Sequence, residues 1–75
     1  MLNSEGKRDI LFGTLALDSG YVTAGQLGQA VTVQMKQDLK DHIHRFIGEI
    51  LIELGFMTDS QVIEILETQE QLRSA

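Results

Sequence analysis

Apolar residues recur at helical spacing in four stretches of this chain. Phe12, Leu15 and Ala16 lie on one face by i, i+3, i+4 spacing. Leu27, Ala30 and Val31 form a second stripe that runs on to Gln34 or Met35. Ile47, Ile50, Leu51 and Leu54 form the third and cleanest. Val62, Ile65 and Leu66 form the fourth, followed by Gln69 and Leu72. No stretch alternates at period two and there is no proline, so the pattern predicts an all-α chain.

The punctuation between the stripes agrees. Asp9 predicts the start of helix 1, because its carboxylate can cap and favours the positive end of a helix. Asp18-Ser19-Gly20 ends that helix, with Gly20 suited to the left-handed conformation past a C-terminus. Thr23 and Gln26 fit a capping box, and helix 2 runs on into the charged segment as far as Asp38 or Leu39. Gly25 and Gly28 weaken helix 2 by about 1 kcal/mol each relative to Ala. Their spacing also permits close approach of another helix. Helix 3 is predicted over roughly 44–54, stopped by Gly55, and Thr58 with Gln61 fits a second capping box.

The punctuation occurs twice. Subtracting 13 from 48 gives 35, and this offset relates Gly13 to Gly48, Gly20 to Gly55, Thr23 to Thr58, Gln26 to Gln61 and Gln34 to Gln69. The chain therefore divides into a flexible tail over 1–8 and one domain over 9–75. That domain holds repeats 11–34 and 46–69 joined by spacer 35–45. One such unit cannot cover its own apolar face, so two helix-turn-helix hairpins are expected to pack as a small four-helix domain. The expected core is Phe12, Leu15, Leu27, Val31, Ile47, Ile50, Leu51, Leu54, Val62, Ile65 and Leu66. Five apolar residues fall off these stripes: Leu11, Leu17, Phe46, Ile52 and Ile63. Leu11 matches Phe46 and Leu17 matches Ile52 at the repeat offset. Either each repeat buries a broad face, or these five form an exposed interaction surface.

Composition narrows the function classes. A domain of 75 residues is marginal by size, and with no cysteine it lacks both disulfides and thiolate metal sites, which leaves oligomerisation as the remedy. The net charge of −5, with scattered basic residues and 5% aromatic content, speaks against nucleic acid as a partner. No apolar run approaches the roughly 20 residues of a membrane helix, and no targeting segment is visible, so a cytoplasmic location is the default expectation. His42 and His44 with Asp38 and Asp41 are the one metal-like cluster. Residues two apart do not share a helix face, and the bland reading is a solvated spacer with no metal. No catalytic constellation appears: the serines lie in termini or turns, and the glutamates lie opposite the apolar faces. No cofactor and no enzyme activity are expected.

The run Gly48-x-x-Leu51-Ile52-x-x-Gly55-x-x-Thr58-x-x-Gln61-Val62-x-x-Ile65-Leu66-x-x-Gln69, echoed more loosely from Phe12 to Gln34, resembles the N-terminal domain of type II secretion and type IV pilus assembly ATPases. The resemblance covers all but the tail and spacer. It implies a helical docking module without catalysis of its own, attaching a motor ATPase to inner-membrane partners. One variety of the family binds cyclic di-GMP across the two copies and typically reads Arg-Leu-Gly where each motif starts. Here Leu11 and Phe46 stand in the arginine register, and neither can offer a guanidinium's planar fork to a phosphate or guanine. Gly13, Gln34, Gly48 and Gln69 match that variety's pattern and mark where the ligand would lie in the alternative, sensor reading. The expectation is a protein-docking module whose partner is a motor ATPase or inner-membrane secretion component, with a homodimer as another form.

Overall fold

The computed structural model describes residues 4–74, and their side chains over 9–72. Its four helices are α1 (Ser4–Asp18), α2 (Ala24–Asp41), α3 (Ile47–Glu53) and α4 (Asp59–Ser74). The all-α, four-helix expectation holds. The helix starts follow the two capping boxes. Gln26 N–H donates to Thr23 Oγ1 at 3.1 Å and Thr23 N–H to Gln26 Oε1 at 3.0 Å. Gln61 and Thr58 repeat this at 3.2 and 3.0 Å. The stops repeat as well. Gly20 and Gly55 take positive φ of 78° and 81°. Around them Tyr21 N–H reaches Ala16 O with Gly20 N–H on Leu17 O, and Phe56 N–H reaches Leu51 O with Gly55 N–H on Ile52 O, the paired bonds of two Schellman stops.

Two boundaries differ from expectation. Helix α1 begins at Ser4 rather than near Asp9, so residues 4–8 of the expected tail are helical; residues 1–3 lie outside the described residues. Helix α3 begins at Ile47, not near 44, because α2 persists to Asp41 and the chain must then reverse. With no glycine in the spacer, His42 takes the left-handed conformation itself, at φ 57°. A non-glycine residue there is strained, and the segment 42–46 has no regular secondary structure, with Phe46 extended at its end.

The repeats do not pack mainly within themselves. Among the described residues α2 lies chiefly against α3 and α4 against α1, with α1 and α3 in contact at the centre. Each repeat thus lays its second helix on the other repeat's first helix, and one core is shared. Phe12, Ile47, Ile50 and Leu51 are fully enclosed, joined by Ala16, Val22, Ala30, Met57, Val62 and Ile65. The buried set respects the repeat: Phe12 pairs with Ile47, Ala16 with Leu51, Val22 with Met57 and Ala30 with Ile65.

Three expected core residues sit at its rim instead: Val31 and Leu54 are each 39% exposed and Leu66 is 37% exposed. On α2 and α4 the inward line runs through Ala30–Gln34 and Ile65–Gln69, about 80° round the helix from Val31 and Leu66. Both repeats turn the glutamine inward, and the aliphatic neighbour is left at the edge.

Candidate docking face and the polar hub behind it

Asp9 lies on the second turn of α1 with its side chain only 12% exposed. It does not cap its own helix. Its carboxylate accepts from Gln34 Nε2 of α2 at 2.7 Å and from the Ile47 N–H of α3 at a longer 3.5 Å, and it meets His44 Nε2 at 3.1 Å. Helix α3 has no side-chain cap from its own N-cap residue Phe46, and the Asp9 carboxylate of α1 stands at its positive end instead. Gln34 also donates to Arg45 O at 2.8 Å, which ties the connection between α2 and α3 back to α2. Asp38 Oδ2 meets the other ring nitrogen of His44 at 3.2 Å. One histidine therefore bridges α1 and α2 from the segment between the repeats.

Two carboxylates on one imidazole favour its charged form. The His44 pKa is raised from its ordinary value, first by the bond to Asp38 and then by Asp9, against partial desolvation. The sign follows from linkage. The unfolded histidine titrates near 6.5, and the folded value is higher, so the stabilisation is complete below pH 6.5 and fades as pH rises through the folded value. A fall in melting temperature between pH 6 and pH 9 is expected for the wild type and should shrink in His44→Gln. An identical pH profile in the variant would remove His44 from that role.

Of the metal-like residues, His44 and Asp38 meet, and His42 and Asp41 are exposed. Among the described residues no group of three His, Cys, Asp or Glu is placed to hold an ion.

The four positions of the sensor reading are all inside the packing. A Cβ on Gly13 would stand 3.1 Å from Leu27 Cδ2, and one on Gly48 2.5 Å from Phe46 Cε2 and 3.1 Å from Phe12 Cζ. These two glycines let α1 and α3 seat large side chains directly on backbone. Gln34 and Gln69 are each 8% exposed, and the Gln34 amide is engaged as described. Arg45, out of register for the family's arginine, pairs with Glu53 and lies 3.9 Å from Glu49.

The five off-stripe residues separate into two kinds. Phe46 and Ile52 are half-buried against the core, and Phe46 meets Phe12 edge-on with ring centroids 5.0 Å apart. They therefore serve the broad shared core. Leu11 and Leu17 are at its margin, and Ile63 is well exposed.

The larger apolar exposure lies on α2, where the expected surface did not include it. Opposite its inward line, Gly25, Gly28, Thr32, Met35 and Leu39 run along the outside of the helix. Met35 is 56% exposed and Leu39 78%, the most exposed large apolar residue described. Beside the glycines an open groove of about 630 Å³ extends to Val33 and Leu54. A Cβ on Gly28 would meet nothing within 4 Å, unlike those on Gly13 and Gly48. The same stripe was readable in the sequence from its alternating spacings of three and four residues. Asp9 was not: its partners are 25 to 38 residues away, and no local pattern marks them.

No family model, curated protein or solved structure matches this chain.

Proposed function

We propose that this domain is a non-catalytic docking module that engages a protein partner through the outer face of α2. The observation that carries the reading is a difference between the two repeats. At the repeat offset, the outward positions Gly25, Gly28, Thr32 and Met35 of α2 correspond to Ser60, Ile63, Glu67 and Glu70 of α4. The shared fold tolerates polar residues on this line, so its apolar, partly glycine character in α2 is not required for folding. Uncharged small and large residues running along an exposed helix make a surface that another helix can cover. The resemblance to the secretion and pilus ATPase domain supports docking within such an assembly, beside a motor ATPase or an inner-membrane component. The sensor alternative would draw on Gly13, Gln34, Gly48 and Gln69, all four of them interior. Among the described residues no helix is long and apolar enough to cross a membrane.

The test is photo-crosslinking in the cell that makes the protein. A crosslinking amino acid at position 39 is expected to give discrete adducts, and one at the corresponding outward face of α4, position 67, to give none. The pair Met35→Ser and Leu39→Ser should weaken capture while changing stability by no more than about 0.5 kcal/mol per site, as for surface substitutions. Equal adducts from both positions would sink the reading.

A further inference from the structure

We infer that the occupant of the α2 face is α2 of a second copy of this chain, packed antiparallel about a two-fold axis at Thr32. This rests on the docking reading above and names its partner. The outward line Gly25–Gly28–Thr32–Met35–Leu39 advances by three, four, three and four residues, the spacing of a coiled-coil seam. It is also graded: its N-terminal half has no side chains and its C-terminal half has long ones. An antiparallel partner centred on Thr32 sets Gly28 against the second copy's Met35, and Gly25 against its Leu39. Small then faces large in each layer on either side of the central Thr32 pair, and the same residues serve both copies, as a two-fold interface requires. A parallel pair would stack glycine on glycine and leave a void.

The surroundings fit this geometry. Gly28 has no neighbour within 4 Å of a Cβ, and Gly25 has only Thr23 Oγ1 at 3.8 Å, so the space these glycines leave is not filled by their own chain. Thr32 Oγ1 already donates to Gly28 O at 2.9 Å, so covering it strands no donor. Charge points to the same face. The chain carries −5, and Glu49, Glu53, Asp59, Glu64, Glu67 and Glu70 place most of the excess on α3 and α4. Helix α2 is neutral, with Lys36 and Lys40 against Asp38 and Asp41, and none of the four lies on the seam line. Two acidic molecules repel least there. In the antiparallel register Lys36 falls beside the second copy's Gln29, so the flank brings no like charges together. One helix pair is a small interface, and the association is correspondingly weak.

Sedimentation over about 10 μM to 1 mM, a range suited to weak interfaces, tests the pairing. The wild type is expected to rise with concentration from the 8.4 kDa chain toward twice that mass. Gly28→Leu, which enters open space and favours the helix, and Leu39→Ser should each abolish the rise at unchanged helicity. Ile63→Ser on α4 should leave it intact. Orientation is read from single cysteines, since the chain has no other. Thr32→Cys should oxidise readily to a disulfide-linked dimer. Leu39→Cys should not, its two copies lying 14 residues apart along the paired helices, about 21 Å. A wild type that stays monomeric throughout, loss of association by Ile63→Ser alone, or equal oxidation of both cysteine variants overturns the inference. A monomer that still crosslinks from position 39 to a different protein overturns self-pairing and leaves the docking reading standing. A monomer with no such adduct ends both.

Discussion

Phe12→Ala is expected to lower the melting temperature by about 12–40 °C. The ring is wholly enclosed. It meets Phe46 edge-on at 5.0 Å and lies against the bare backbone at Gly48, where a Cβ would come within 3.1 Å of its Cζ. Removing a buried phenyl ring costs about 3–5 kcal/mol, and more where the site cannot collapse. Collapse is difficult here because the walls belong to different repeats, α1 on one side and α3 on the other. A domain of 75 residues has only about 4–11 kcal/mol to lose, at roughly 0.05–0.15 kcal/mol per residue. Thermal denaturation followed by far-UV circular dichroism would check this. At about 4–8 °C per kcal/mol, a fall of less than about 10 °C would show that the ring is not central to the shared core. Phe46→Ala should cost less, since that ring is only half-buried. A Phe46 change that left stability untouched would return that residue to the surface.

Asp9→Ala comes next, at about 2–4 kcal/mol. The loss is not that of one surface carboxylate. It leaves one N–H of the buried Gln34 amide unmet, the other still held by Arg45 O, and with it the Ile47 N–H at the start of α3; each unmet donor costs about 1–3 kcal/mol. The Ile47 bond is long at 3.5 Å, so the Gln34 partner carries more of the effect. Asp9→Asn should be nearly as damaging, because its amide group would face donors with a donor. Urea denaturation of Asp9→Ala, Gln34→Leu and the double variant gives the coupling directly. Costs that add within about 0.5 kcal/mol would mean that the two residues act independently and the hub does not exist as a unit.

These two expectations lie on opposite sides of what the sequence made legible. Phe12 is in a clean stripe, and its burial was expected. Asp9 looked like a cap for α1 and is instead the carboxylate that joins α1, α2 and α3. Val31, Leu54 and Leu66 show where periodicity runs out. A stripe defines a face to within about one residue, and only the neighbouring helix decides which edge is covered. Phe46 and Ile52 stray from the stripes of their own repeat and are half-buried against the shared core, Phe46 through Phe12 of the other repeat. The outward line of α2 was visible as spacing, and its exposure depended on α3 covering the opposite side.

By itself the sequence determined the number of helices, their two capping boxes, both glycine stops and the repeat at an offset of 35. Those features rest on interactions within a few residues, such as Thr23 with Gln26 or Tyr21 N–H with Ala16 O. Only the tertiary structure decided that each repeat covers the other's first helix, that the Asp9 carboxylate of α1 stands at the start of α3, and that the outer face of α2 is left apolar and open. Contacts between residues 25 to 38 positions apart depend on how whole helices pack, and no local pattern records that choice.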